Sequence, residues 1–384
     1  MKRSLLLISS IIAFTFLMVY SSSCKKENQL SIDLRYFNEP GIPNQDSILT
    51  GLKWVFSYLG AALDSGSVEN GIHFLDKDRI HLELEHLGYS EKALNVWRQL
   101  LRVMKKSEAY QIHRSIDIGR FVMLTLNSSY HYYALTGVEP TLAAFKKKYK
   151  IRKKPIVFAE GESCIANGER WVYMAMPAKH LDQIGYLAEE GTGSQKANNF
   201  KVTDTEVFSF MPNGQPRFAI YDDQGQLKTS VPTHLGQAGK PANCAWCHES
   251  KIQSSFINSA EKPHIEKFKT QITKRRNQIK RLRAKIVNEL DFSKQQDHSL
   301  GEFLYLLFME PSAERLAFEW QENIEVVKEK LVGIQSHRIE EFRNFDFGDR
   351  YHRELVKHLA PFKVLRTPEV ARDFAEYEPD FLNE

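Results

Sequence analysis

The chain has 384 residues, of which 42% are hydrophobic and 26% charged, a composition too apolar for a disordered protein and ordinary for a folded one. At roughly 150 residues per domain the length accommodates two or three units, each long enough to bury a core. Lys and Arg number 52 against 48 Asp and Glu, so the formal net charge is only +4, and no strong overall field points to a nucleic acid partner.

Lys2 and Arg3 precede an apolar run from Leu5 to Tyr20, broken by Ser9, Ser10 and Thr15; Ser21, Ser22 and Ser23 then lead to Cys24. A positive start, a short apolar stretch and small residues predict a secretory signal peptide over residues 1–23. A membrane anchor is the competing reading, but the run falls short of the ~20 apolar residues a spanning helix needs. The Cys directly after the small residues resembles the lipobox of bacterial lipoproteins, with Ser21 where that family usually has Leu. The resemblance implies that Cys24 is the lipidated first residue of an exported chain. Its acyl chains would hold the protein on a membrane, facing the periplasm or the cell surface.

Residues 24–45 are polar and include Pro40, Gly41 and Pro43, the composition of a tether ending in a turn. Residues 46–150 read as a mainly helical unit. Ser90 is a good N-cap before Glu91, and Leu94, Trp97, Leu101 and Met104 recur at helical spacing behind it. Phe121 to Leu126 is an apolar run that fits helix or strand. Pro140 opens a further short helix that ends in Lys146, Lys147 and Lys148.

From about residue 155 the period changes. Ile156 to Phe158, Trp171 to Met176, Val207 to Phe210 and Phe218 to Tyr221 read as strands. Pro212-Asn213-Gly214 and Asp222-Asp223-Gln224-Gly225 are turn signals. Roughly 155–230 is therefore expected to be an antiparallel meander, within a unit spanning 151–262. A loop from Gly236 to Asn243 leads to Cys244, Cys247 and His248.

Residues 263–384 read as helical again. Pro263 suits a first helical turn. Ile265, Ile272, Ile279 and Ile286 recur every seven residues, with Phe268 and Leu282 between them. The same helix carries Lys267, Lys269, Lys274, Arg275, Arg276, Lys280, Arg281, Arg283 and Lys285 against only Glu266 and Glu289. Residues 310–329 have the opposite sign, with Glu310, Glu314, Glu319, Glu322, Glu325 and Glu329. The two segments are expected to pack antiparallel with complementary charge. A solvated or acid-paired basic face is the default, with docking to an acidic redox partner or anionic lipid as the alternative.

Cys244-x-x-Cys247-His248 resembles the attachment signature of c-type cytochromes. The resemblance implies that the two thiols form thioethers to one edge of a covalent haem c and that His248 is the proximal iron ligand. No second such motif occurs, so one haem per chain is expected. Three competitors share these residues. One is a thiol–disulfide pair, which a preceding βαβ pattern would favour and this chain lacks. Another is a zinc site completed by Cys164 or His234. The third is a structural disulfide, tight across two intervening residues. Cys164 is the spare cysteine.

The second axial position decides between electron transfer and an open, ligand-binding site. His234, Met211, His264 and Met309 are the candidates; Met174 and Met176 share a strand face and read as packing. No Walker loop, dinucleotide-binding glycine pattern or nucleophile elbow is present.

Together these readings predict an α+β protein: a helical N-terminal unit, a central antiparallel meander leading to the haem loop, and a C-terminal helical hairpin. The expected function is a lipid-anchored monohaem cytochrome that passes electrons to a redox partner protein and binds no nucleic acid. The alternatives are a peroxidase-like haem enzyme or gas sensor with an open distal site, and a non-redox lipoprotein with a Cys/His zinc site.

Overall fold

The computed structural model describes residues 29–38, 44–153, 155, 157–160, 169–174, 179–194, 197–229, 240–249, 263–292, 298–338, 348–367 and 378–384. The fold is mixed α+β. The predicted signal peptide, Cys24, Cys164, Met176 and His234 lie outside the described residues.

The N-terminal unit contains a small sheet that periodicity does not announce. Strand β1 (Ser31–Arg35) pairs antiparallel with β3 (Arg79–Glu83), which pairs in turn with β2 (Ile72–Phe74); β4 (Ile116–Asp117) runs parallel to β1 on its other side. Residues 31–35, which composition assigns to a tether, are thus a central strand with Ile32 and Leu34 fully buried.

Helices α1 (Gln45–Tyr58), α2 (Glu91–Lys106), α3 (Ile118–Thr125), α4 (Ser129–Thr136) and α5 (Leu142–Lys148) complete the unit. Ser90 caps α2 by accepting from the Ala93 N–H, and Leu94, Trp97, Leu101 and Met104 form its buried face, as the spacing predicts. The ambiguous run at Phe121 is helical. Asp117 caps α3 by accepting from the Gly119 and Arg120 N–H groups, which commits the apolar residues behind it to helix.

The meander follows as six antiparallel strands, each paired with its neighbour in sequence: β5 (Val157–Glu160), β6 (Glu169–Met174), β7 (Gly185–Thr192), β8 (Lys201–Phe210), β9 (Pro216–Asp222) and β10 (Leu227–Lys228). The β8–β9 turn falls on the predicted Pro-Asn-Gly. The Met211 N–H donates to the Gln215 carbonyl, and Gly214 sits at φ +90°, which a side chain would strain. The Asn213 side chain donates to the carbonyls of Ser57 (2.8 Å) and Ala61 (2.7 Å), fastening this turn to the end of α1.

Three helical segments then bear on the site: α6 (Pro241–Glu249), α7 (Pro263–Arg283) and α8 (His298–Met309). A short pair, α9 (Ala313–Trp320) and α10 (Ile324–Lys330), forms a C-terminal hairpin made of other residues than the expected one between the basic helix and the acidic segment. Helix α8 lies in the main core between α1 and α3, where glycines permit close approach. A Cβ on Gly119 would stand 2.2 Å from the Phe308 Cβ, and one on Gly51 3.0 Å from the Leu300 backbone.

Among the described residues the basic helix packs on the meander rather than on the acidic segment that its charge predicts. Ile279, Leu282 and Ile286 instead pack on Leu181, Ile184 and Phe210 of the meander, and Lys274, Arg276, Lys280, Arg281 and Lys285 are exposed. The acids are taken up elsewhere. Glu319 bonds Arg120 and Arg353, Glu310 bonds His337, and Glu322 bonds Lys330. Apolar burial against the sheet outweighs exposed charge pairing, which contributes at most ~1 kcal/mol per pair.

Candidate functional site

The Cys-x-x-Cys-His segment lies within α6 rather than in a loop. Pro241 occupies the start of the helix, where its missing N–H costs nothing, and the Cys244 N–H donates to the Lys240 carbonyl at 3.0 Å. At 3.6 residues per turn, positions 244, 247 and 248 share one face, and positions 242 and 245 fall on the opposite one. Ala242 and Ala245 are buried. Small residues there let α6 lie close to α8, leaving a cavity of about 10 Å³ lined by Trp54, Tyr58, Ala242, Ala245, Gly301 and Glu302, about one water in size. Lys240 and Glu378, both buried, form an ion pair that fastens the start of α6 to the C-terminal segment.

Cys244 is partly buried and packs against the main core near Tyr132 and Tyr133. Among the described residues His248 is the exposed member of the segment. Its ring lies 5.4 Å from both Phe208 and Phe218, which are cross-strand partners on β8 and β9 and therefore share one sheet face. Burial among these neighbours, followed by the nearby Arg170 guanidinium, lowers the His248 pKa to about 4. His248 is thus exposed as a residue while its ring packs against this aromatic pair. Its imidazole is neutral near pH 7, the form that ligates metal.

The sheet face that holds His248 continues into a polar trio. Glu206 lies two residues before Phe208, on the same side of β8, and shares Arg170 with Glu190: Arg170 donates to both carboxylates at 2.6 Å. Burial raises the Glu206 pKa against the pull of Arg170, with Glu190 and Asp204 adding to the rise. On the other side of Phe208, Phe210 and Tyr186 receive the apolar face of α7. His248 is therefore bordered by an aromatic pair, a charged trio and the basic helix along one sheet.

Of the proposed axial ligands, Met211 is buried, with its sulfur beside Gly60, and Met309 is buried in the main core. His264 falls within α7 and Met174 at the end of β6, but their side chains are outside the described set. The residues sequence reasoning missed are Phe208, Phe218 and Arg170. The first two were within reach, since a turn centred on residues 212–214 sets Phe208 opposite Phe218.

Cys244 and His248 stand one turn apart on α6 and have the chemistry to hold a covalent haem together with Cys247, whose side chain lies outside the described residues. Among the described residues no helix is long and apolar enough to cross a membrane. No protein-family model matches this chain, and neither a curated protein nor a solved structure does.

Proposed function

We propose that the chain is an exported, lipid-anchored, monohaem c-type cytochrome that passes electrons to a redox partner protein. The observation that carries this reading is that positions 244, 247 and 248 fall on one face of α6, with His248 an exposed residue whose ring packs beside Phe208 and Phe218. Bound haem supplies an iron that cycles between its two common oxidation states. The protein's part is to hold that group through Cys244 and Cys247 and to present the neutral His248 imidazole to the iron. Phe208 and Phe218 exclude water from one side of that ring, and Arg170 disfavours its protonation.

Lipidation at Cys24 is supported by the small residues that precede it and by the need to export a chain before haem attachment. A second reading, an open-site haem enzyme or gas sensor, is favoured by one observation. Met211 and Met309 are both buried in packing positions. Addition of carbon monoxide to the reduced protein separates the two. An unshifted spectrum supports a saturated iron and electron transfer; a shifted Soret band supports the open site. Production of the Cys244→Ser, Cys247→Ser variant in a host with c-type maturation tests attachment. The haem should be lost from the denatured chain, and its retention would refute the assignment.

A further inference from the structure

A second cluster of metal-ligating side chains, formed by residues other than those of the 244–248 segment, lies at the C-terminal end of α8. Glu310 directly follows this helix, and its N–H donates to the Leu306 carbonyl. Residues 336–337 (β11) and 350–351 (β12) form a two-stranded antiparallel ladder in which His337 faces Arg350. His352 is two residues beyond Arg350 and so on the same side of the ladder as His337. The Tyr351 N–H donates to the Pro311 carbonyl at 3.0 Å, tying β12 to the residue after Glu310. Three separate segments are thus held together by backbone bonds, which is the rigid support a metal site needs.

We infer that Glu310, His337 and His352 form a binding site for one divalent transition cation of the zinc class, independent of the haem site. One ligand atom from each residue lies within 4.8 Å of the other two. Donors ~2.1 Å from a tetrahedral ion lie ~3.4 Å apart, so the cluster is within a side-chain rotation of closing on a cation. The Glu310 carboxylate and the His337 Nε2 are already 3.0 Å apart, and the cation takes the place of the proton they share. The two imidazoles stack with centroids 4.3 Å apart and planes 18° from parallel. Binding requires the His352 ring to tilt so that its lone pair converges with that of His337. His352 is only half-buried, which leaves it room to do so.

The chemistry of the set decides the class of ion. Two imidazole nitrogens and one carboxylate oxygen suit zinc and its neighbours in the first transition row better than calcium or magnesium, which take oxygen donors. Glu310 is buried, and a buried carboxylate is stable only when compensated. Arg350, also buried, donates to the Glu310 backbone oxygen; His337 bonds the carboxylate. Three protein donors leave a fourth position for water or a small ligand. The other carboxylate–histidine group among the described residues, Glu83, Glu85 and His86, is half-buried to exposed and comes from one continuous stretch of four residues.

The test is equilibrium dialysis of the chelator-treated full-length mature protein against Zn²⁺, with zinc and iron counted separately by elemental analysis. One zinc per chain is expected, independent of the iron content. The His337→Gln, His352→Gln variant should weaken binding at least about 100-fold, since loss of even outer-shell partners costs ~10–100-fold. A His358→Gln control should match the unaltered protein. Zinc retained by the double variant would place the ion elsewhere and overturn the inference. If the double variant does not fold, diethyl pyrocarbonate footprinting of the unaltered protein still decides. Zn²⁺ must protect His337 and His352 from modification, and equal labelling with and without zinc overturns the site.

Discussion

Glu319 is the buried acid on which the C-terminal hairpin is fastened to the main core, and its replacement by Gln should be among the most damaging single changes in the chain. The side chain is nearly inaccessible. It accepts from Arg120 at 3.0 Å and from Arg353 at 2.7 and 3.1 Å, and its backbone oxygen accepts from Arg35. Burial alone would raise its pKa, but Arg353 and Arg120 outweigh that and hold it well below the usual carboxylate range. The folded-state pKa is depressed, so the stabilisation is present above the unfolded value near 4.5, and is lost as pH falls through the folded value near 2. At ~1.4 kcal/mol per pH unit that interval corresponds to about 3 kcal/mol. Breaking a buried ion pair from one side costs ~3–5 kcal/mol, so the two routes agree. Urea unfolding followed by tryptophan fluorescence should show Glu319→Gln less stable by about 3–5 kcal/mol at pH 7. The gap between variant and unaltered protein should shrink from pH 5 to pH 2. A loss under ~1 kcal/mol, or parallel profiles across that range, would refute the reasoning.

Gly119→Ala should destabilise by up to about 2 kcal/mol. The new Cβ would meet Phe308 at 2.2 Å and the Leu304 carbonyl oxygen at 2.5 Å, and overpacking of ~1–3 kcal/mol exceeds the ~1 kcal/mol gain in helix propensity; a raised melting temperature would contradict the close approach of α3 and α8. Asn213→Ala removes the side-chain donor from the Ala61 carbonyl and one of two donors from the Ser57 carbonyl, which keeps the Gly60 N–H, and should cost about 1–3 kcal/mol. Unchanged urea midpoints would dismiss that link between the meander and α1.

The legible parts of this fold are those with a strong local period. Helix α2 is specified by Ser90 and the apolar residues behind it. The meander is specified by alternating strands and by turns at residues 212–214 and 222–225. The small N-terminal sheet is not legible, because its strands run only two to five residues and pair across large sequence gaps, as Leu34 does with Ile116. The partner of the basic helix is hidden for a related reason. Charge complementarity is visible in sequence, but the apolar faces that decide packing belong to Leu181, Ile184 and Phe210. Meanwhile Glu319 finds Arg120, 199 residues away.

At the site, the spacing of Cys244, Cys247 and His248 announces a chemistry without its setting. The helix that carries them begins at Pro241 in what reads as loop, and the aromatic wall comes from a different part of the chain. Glu310, His337 and His352 have no mutual spacing signal at all; only the β11–β12 ladder brings them together.

Intact-mass analysis of the denatured protein, produced in a host with c-type maturation, tests the central claim most directly. The account predicts a mass increase of one haem per chain, localised by peptide mapping to the segment containing Cys244 and Cys247. A chain at its apoprotein mass, colourless after purification from that host, would contradict it.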